Sequence, residues 1–179
     1  MDKILTKIFK EATDIFFVEE LQNILNGVAE RNLCGRLAIY LTNRLNEHGI
    51  TGYYADPEYN RKQDGRVKTI LDDEMEVVPI QCDLIVHSRG NNIKQDNLIA
   101  IEMKKSNRPE AERVSDRKRL RALTKDSYDD IWSYDGIALP EHVCGYVQGI
   151  YMILDIRART CLFEYYQKGN KVGERTEIF

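Results

Sequence analysis

Two apolar segments that carry ionisable side chains constrain the fold of this chain more than any other feature. The first, PIQCDLIVH, spans residues 79–87 and has Asp83 near its middle. The second, NLIAIEMKK, spans residues 97–105 and has Glu102 and Lys104 towards its end. Short apolar runs of this kind are typical of buried β-strands. Ionisable groups on such strands are costly to bury unless they are paired or bind a metal.

Strand geometry directs two of these ionisable groups towards the same place. Because side chains alternate along a strand, Glu102 and Lys104 share one face of the second segment, whereas Met103 lies on the other face. A neighbouring strand can bring Asp83 to the face that carries Glu102. Two carboxylates beside an ammonium group can hold a divalent cation and act on a phosphate ester. The sequence therefore predicts a charged site on one face of a buried sheet.

Asp83 followed by Glu102-Met103-Lys104 resembles the PD-(D/E)xK nuclease superfamily, and the resemblance extends from Val28 to Leu123. It is strongest to small stand-alone bacterial members with four sequence blocks. These blocks are ER..L..RLA.YL, EYNR, DLIVH.RG and NL..IE.KK, here at residues 30–41, 58–61, 83–90 and 97–105. The residue before Asp83 is Cys82 instead of the proline of the motif name, a replacement that is common in the superfamily.

The resemblance implies an α/β fold of the restriction-endonuclease-like type, with an αβββαβ core whose mixed central sheet is flanked by helices. A chain of 179 residues fits one domain with a continuous core. We expect a helical extension over residues 1–27, the core over residues 28–166 and a C-terminal hairpin at the end of that core.

Hydrophobic periodicity and turn residues predict the individual elements. In chain order these are a helical region 2–26 divided at Thr13-Asp14, a helix 28–47, a strand 52–59, a loop or hairpin 62–76, strands 79–87 and 97–105, a basic helix 108–125, an irregular segment 126–142, and strands 145–154 and 160–166. The segment Asn26-Gly27 predicts one helix end, and His48-Gly49 predicts another.

The resemblance also implies a cofactor and a set of roles. Mg²⁺, with Mn²⁺ as a substitute, would be held by Asp83, Glu102 and the main-chain carbonyl of Met103. Lys104 would orient or help deprotonate the attacking water and contact the phosphate. The bound cation would lower the pKa of its water and stabilise the developing negative charge.

Glu30 allows two interpretations. It lies on the side of its helix that carries Cys34, Leu37 and Leu41, so it points towards the sheet. A glutamate in the first helical turn can simply complement the helix dipole. In several branches of the superfamily, a glutamate on the first core helix reaches the metal. The resemblance thus favours Glu30 as a third metal ligand and catalytic residue.

A basic helix directly follows the Glu102 strand. We expect Arg113, Arg117, Lys118 and Arg121 of this helix, together with Arg61 of the EYNR block, to contact a nucleic-acid backbone. The alternative is a solvated helix face. Asp116 of this helix could orient Lys118 or contact the site, but we expect a surface position. The net charge of −3 supplies no general attraction for nucleic acid, so the local distribution of charge matters more than the sum.

Two further residues are weighed between structural and functional roles. Glu58 shares a strand face with Asn60, and it is either a solvated strand end or an additional contact of the metal site. For His87, at the end of its strand, we expect a hydrogen-bonded structural role.

Composition narrows the class of protein. Hydrophobic residues make up 42% of the chain and charged residues 31%, as in a soluble globular domain. No apolar run is long enough to cross a bilayer, and no signal-peptide cleavage site follows the N-terminus. The four cysteines form no CxxC pair, and three lie in apolar stretches, which predicts small core residues. We therefore expect a cytoplasmic protein with no membrane partner.

The ionisable residues and the PD-(D/E)xK resemblance together predict a metal-dependent nuclease that hydrolyses phosphodiester bonds, with DNA favoured over RNA as the substrate. Two other classes stay open. One is a nucleic-acid-binding module on a nuclease fold that no longer cuts, although the intact Asp83, Glu102 and Lys104 argue against it. The other is a regulatory or interaction protein, for instance in phage defence or a mobile element. A homodimer that brings two sites to two strands is a further expectation.

Overall fold

The computed structural model describes residues 2–58, 69–71, 77–79, 82–126 and 144–179. Its elements in chain order are α1 (Asp2–Glu19), α2 (Leu21–Leu25), α3 (Glu30–Glu47), β1 (Tyr54–Pro57), β2 (Thr69–Leu71), β3 (Val77–Pro79), β4 (Leu84–His87), β5 (Asn97–Lys105), α4 (Glu110–Leu123), β6 (Gln148–Asp155), β7 (Thr160–Gln167) and β8 (Asn170–Ile178). They form a mixed α/β fold around one central sheet, as predicted. No helix among the described residues has the length and apolar character needed to span a membrane.

The central sheet has six strands in the order β1-β4-β5-β6-β7-β8. Only the β5–β6 pair is parallel, and the other four pairs are antiparallel. Parallel neighbours need a crossover connection, and α4 lies in that connection. The main chains of β2 and β3 form a separate antiparallel pair. The predicted irregular segment lies outside the described residues from residue 127 onwards, as does most of the predicted loop 62–76.

The C-terminal strands extend further than predicted. The expected hairpin of β6 and β7 is present, but β8 pairs with β7 and turns the hairpin into a three-stranded meander. β8 is largely exposed and polar, so its sequence lacks the apolar alternation that marks a half-buried strand. The hydrophobic pattern therefore could not predict that β8 pairs with β7.

The larger apolar core lies between the sheet and the first and third helices. Leu5, Phe9 and Phe16 of α1 are fully buried and are spaced for one face of a helix. The Phe9 ring packs edge-on against Phe163 of β7 with 5.7 Å between the ring centroids. The N-terminal helical segment thus contributes to the same core as the sheet.

The predicted division of the first helix at Thr13-Asp14 is wrong. α1 runs without a break to Glu19. The Thr13 hydroxyl is buried and donates back to the carbonyl of Phe9 at 3.0 Å, so it does not cap a new helix. The predicted end at Asn26-Gly27 is confirmed, because Gly27 adopts a positive φ of 70° and donates to the carbonyl of Ile24.

Two predicted strands are shorter than expected, and this moves Asp83. Within the described part of the predicted strand 52–59, only β1 is a strand, and regular pairing ends at Glu58, which adopts a positive φ of 49°. β4 begins at Leu84, so the prediction that Asp83 lies near the middle of a strand is wrong. Cross-strand pairing ends where Pro57 meets Leu84. Asp83 therefore lies directly before β4, at the end of the paired region, where side chains are more accessible.

The opposite face of the sheet is covered by α4. Leu120 and Leu123 of this helix pack on Tyr151 and Tyr166 of the sheet in a second apolar cluster. The approach is close, since a Cβ at Gly149 would lie 2.9 Å from a methyl carbon of Thr124. The predicted basic helix is thereby confirmed as an element, with its apolar side turned to the sheet.

Candidate active site

Asp83 is held beside the second strand segment by a main-chain contact. Because Leu84 pairs with Ile101 in the antiparallel β4–β5 ladder, Asp83 comes opposite Glu102, and its side chain reaches the main chain of the next residue, Met103. The Met103 main-chain N–H donates to Asp83 Oδ2 at 2.9 Å. The Asp83 side chain keeps 24% of its surface exposed, whereas Glu102 is fully buried, so Asp83 is the carboxylate of this pair that is open to solvent.

Glu102 occupies the interior of the same face, as strand alternation predicted. It is fully buried, and Arg119 Nη1 of α4 donates to its Oε1 at 2.5 Å. Among the described residues, no hydrogen-bond partner reaches its Oε2. Burial raises the pKa of Glu102 well above its usual range, the Asp83 carboxylate raises it further, and Arg119 opposes both. A buried acceptor without a donor is uncommon in folded proteins and calls for an explanation.

Lys104 lies between two carboxylates. Its Nζ is 3.5 Å from Asp83 Oδ2 and 3.6 Å from Asp116 Oδ2. Burial alone would lower the pKa of Lys104, but the Asp83 and Asp116 carboxylates raise it above its ordinary value. Lys104 is therefore an ammonium ion at neutral pH.

Asp116 is a member of this cluster, so the prediction of a surface position on α4 is wrong. It is 4% exposed, and burial raises its pKa while Lys104 and Arg119 lower it. The sequence contained a usable signal: Asp116, Leu120 and Leu123 follow the i, i+4, i+7 spacing of one helical face. The charge-rich composition of the helix concealed that Asp116 belongs to its buried side.

Arg119 was also missed by sequence reasoning. Its Nη1 bridges Glu102 and Asp116, with 3.1 Å to Asp116 Oδ1. No pattern in the sequence distinguishes Arg119 from the other basic residues of α4. Only the packing of the helix on the sheet selects it.

Glu30 points towards the sheet, as its helical position predicted, but one of its two carboxylate oxygens already accepts a hydrogen bond. The Lys105 main-chain N–H donates to Glu30 Oε1 at 2.9 Å, and Arg108 Nε lies 3.7 Å from the same oxygen. In the part of the chain that the structure describes, no three or more His, Cys, Asp or Glu side chains form a group that could hold a metal ion. Glu30 is thus not brought into one three-carboxylate group with Asp83 and Glu102.

The two weighed residues take different positions. His87 is buried, and its Nε2 lies 3.0 Å from Asp56 Oδ2, which confirms the structural role. Glu58 lies beyond the end of β1, where its main-chain N–H donates to the carbonyl of Asp83 and its carboxylate pairs with Arg31 at 3.0 Å. Glu58 is therefore a neighbour of Asp83 through its backbone.

Of the basic residues on α4 that were predicted to contact nucleic acid, some interact with other side chains of the protein and one is exposed. Arg117 is committed to Glu164 of β7 and also contacts Glu110, while Arg113 pairs with Glu110. Lys118 is exposed, and Arg121 lies over the ring of Tyr166 at 5.7 Å from its centroid. Arg61 lies outside the described residues. Lys118 is consequently the member of the α4 set most accessible to a phosphate backbone.

The four cysteines occupy buried positions, Cys34, Cys82, Cys144 and Cys161. The Cys82 thiol donates a hydrogen bond to the carbonyl of Ile101 at 3.1 Å, and burial raises the pKa of this thiol well above the usual range. This agrees with the prediction of small core residues.

Asp83, Glu102, Lys104, Asp116 and Arg119 form one charged cluster between β5 and α4, open to solvent on the Asp83 side. The cluster combines carboxylates, which are the ligands that hard divalent cations prefer, with an ammonium group, which pairs with anionic esters. Comparison of the chain with protein-family models, with curated proteins and with solved structures found no match.

Proposed function

We propose that the chain is a metal-dependent nuclease that hydrolyses phosphodiester bonds, in DNA more than in RNA. The observation that carries the proposal is the meeting of Asp83, Glu102 and Lys104 on one sheet face, with Glu102 Oε2 buried and without a donor among the described residues. Apart from β2 and β3, which pair separately, the elements follow the order α3, β1, β4, β5, α4, β6 with β5 and β6 parallel, and this supports the αβββαβ core that the PD-(D/E)xK resemblance implies.

The donor set fits Mg²⁺. This cation is usually held by one or two carboxylates and keeps several water ligands, so it does not require a third acidic residue. Asp83, Oε2 of Glu102, which has no donor among the described residues, and the main-chain carbonyl of Met103 would hold it, whereas Glu30 Oε1 accepts from the main-chain N–H of Lys105. When bound, the cation supplies a water of lowered pKa and offsets negative charge on the phosphate.

The chain's own residues then divide the remaining work. Because Lys104 is protonated, it acts as a donor to the attacking water or to a phosphate oxygen and not as the base. Its ammonium is held at the border of the buried cluster, where only 14% of the side chain is exposed. A charge in such a desolvated position acts more strongly on a developing negative charge than it would in water.

A second candidate is a catalytically silent nucleic-acid-binding or regulatory protein on the same fold. One observation favours it: the cluster is largely paired within itself, because Arg119 neutralises Glu102 and Asp116 faces Lys104. Under this alternative the ion pairs are structural, and the protein binds its partner without metal-dependent turnover. A homodimer, and a role in phage defence or a mobile element, are compatible with either candidate.

The first experiment incubates the purified protein with Mg²⁺ or Mn²⁺ and a panel of circular, linear, single-stranded and branched DNAs together with RNA. Asp83→Asn is the test variant, and Asp14→Asn, which alters an exposed ion pair on α1, is the matched control. The nuclease proposal expects cleavage by the wild type and Asp14→Asn but not by Asp83→Asn. Calorimetry with Mn²⁺ runs beside it. Absence of both cleavage and Mn²⁺ binding would overturn the nuclease and favour the silent protein.

A further inference from the structure

Asp116 contacts both Lys104 and Arg119, and it thereby links the ammonium group of the charged cluster to the arginine that pairs with Glu102. Its Oδ2 lies 3.6 Å from Lys104 Nζ, and its Oδ1 accepts a hydrogen bond from Arg119 Nη1 at 3.1 Å. The same Arg119 nitrogen donates to Glu102. One carboxylate on α4 therefore touches both the ammonium of Lys104 and the partner of the buried glutamate.

Stability alone does not account for an acid at this position. Asp116 lies on the helix face whose next members, Leu120 and Leu123, pack in an apolar cluster. Ion pairs taken out of water are often no more stabilising than well-packed apolar residues of similar volume. A leucine at this position would join that cluster without the cost of removing a charge from water. The position of Asp116 therefore points to a use for its charge.

Lys104 needs a second acid if Asp83 binds a cation. A lysine side chain is flexible and its ammonium is a point charge, so its place is set by the acids around it. Asp83 Oδ2, which faces Lys104, also accepts from the Met103 N–H. Under the proposed function Asp83 would share its charge with the metal, which weakens its hold on Lys104. Asp116 is then the acid left to fix the ammonium.

We propose that Asp116 is a positioning residue that holds Lys104 in its working place, while Arg119 holds Glu102 through its own hydrogen bond. The inference rests on the proposed function and deepens it. Asp116 itself touches no substrate. Its loss should reduce the catalytic rate while the metal ligands stay in place.

The test compares Asp116→Asn with Glu164→Gln. The first change keeps the shape of the side chain but removes its charge. The second removes another buried charge facing α4, one that pairs with Arg117 and Lys171 and does not touch Lys104. We expect kcat of Asp116→Asn to fall about 10- to 100-fold, as for other residues that orient a catalytic group, with KM and Mn²⁺ affinity little changed. Glu164→Gln should keep its kcat although its thermal stability falls.

Equal losses of kcat in the two variants, following their losses of stability, would overturn the inference. A fall in Mn²⁺ affinity that accounts for the whole loss of kcat in Asp116→Asn would also overturn it. Asp116→Glu serves if Asp116→Asn does not fold, since it keeps the charge but moves the carboxylate by one methylene. A smaller loss of kcat in the same direction is then expected.

A second measurement separates this inference from the proposed function. If the wild type cleaves nothing, the nuclease proposal fails, but the hold on Lys104 can still be measured by acetylation with an amine-reactive ester followed by peptide mass spectrometry. Exposed Lys118 on α4 is the internal reference. Asp116→Asn should acetylate Lys104 several-fold faster relative to Lys118 than the wild type does. An unchanged ratio would show that Asp116 does not hold Lys104.

Discussion

Two buried glutamates on the same face of the sheet have opposite electrostatic characters. Glu102 on β5 and Glu164 on β7 both lie level with Tyr151 of β6, one on each side of it. Each is almost fully buried, and each pairs with an arginine of α4. The two positions therefore share residue type, strand face, burial and helix, and they differ in the remaining donors.

Glu164 has a complete set of donors. Arg117 donates to both of its oxygens, at 2.9 and 3.2 Å, the Tyr166 hydroxyl donates at 2.6 Å, and Lys171 Nζ lies at 3.1 Å. Burial alone would raise the pKa of Glu164, but these hydrogen bonds lower it to about 2. Glu102 receives one donor, keeps Oε2 unpartnered among the described residues, and has a raised pKa. The donors of Glu164 satisfy its carboxylate, whereas Oε2 of Glu102 is the atom at which the proposed cation would bind.

The largest difference is expected in catalysis. Glu102→Gln should abolish metal-dependent cleavage, because the amide cannot replace a carboxylate ligand of Mg²⁺. Glu164→Gln should cleave at close to the wild-type rate. Initial rates of cleavage of the preferred nucleic acid, measured with saturating Mn²⁺ for both variants, make the comparison. An active Glu102→Gln protein would remove the metal site from the proposal.

The next effect is expected at Lys104. Lys104→Gln should bind Mn²⁺ as the wild type does but lose about 2–4 kcal/mol of transition-state stabilisation, by analogy with other donors that stabilise developing charge. Calorimetric titration and single-turnover cleavage rates measure the two quantities separately. A variant that loses Mn²⁺ affinity in step with its rate would show that Lys104 orders the ligands and does not act on the reacting phosphate.

Glu164 should matter for stability in a pH-dependent way. Its folded pKa of about 2 lies below the ordinary value of 4.5, so its ionised form stabilises the folded state above pH 4.5, and this contribution is lost as the pH falls towards about 2. Glu164→Gln should lower the free energy of unfolding by about 1–3 kcal/mol at pH 7, and the difference from the wild type should shrink in acid. Urea unfolding at pH 7 and pH 3 tests this expectation.

The smallest expected effect is the change in stability of Glu102→Gln, and it tests most directly whether Glu102 differs from Glu164. Because the folded pKa of Glu102 is raised, the ionised acid costs stability once the pH exceeds its ordinary value of 4.5, and the cost grows up to the folded pKa. Glu102→Gln should therefore leave the metal-free protein as stable as the wild type at pH 7, or more stable by up to about 1 kcal/mol. The same urea series measures it. If Glu102→Gln loses as much free energy of unfolding as Glu164→Gln does, the ion pair with Arg119 alone is enough to satisfy the Glu102 carboxylate.

Sequence reasoning brought Asp83, Glu102 and Lys104 together but did not assign every member of the cluster. The alternation of β5 put Glu102 and Lys104 on one face, and the ladder with β4 brought Asp83 beside them. Arg119 was missed, and Asp116 was expected on the surface, because a charge-rich helix gives a weak periodic signal. Glu30 was directed to the sheet correctly, but periodicity could not show that its oxygen would meet the main-chain N–H of Lys105.

The fold was predictable to a similar degree. The apolar stripes of α1 and α3 and the apolar runs of β5 and β6 follow from local pattern, since burial demands it. The exact start of β4 depends on where its partner β1 ends, and β8 depends on backbone pairing alone. Neither leaves a mark in the hydrophobic pattern.

The sequence by itself determined which groups would be buried on the strands, because period-two alternation is a property of any extended chain. Only the tertiary structure decided how each buried charge is paired. Glu102 and Glu164 look alike as letters in apolar strands, and of their donors only Tyr166 is a close neighbour in sequence. The other donors come from α4 and β8 across the fold, and how many reach each buried acid helps to set its pKa and leaves one oxygen of Glu102 without a donor among the described residues.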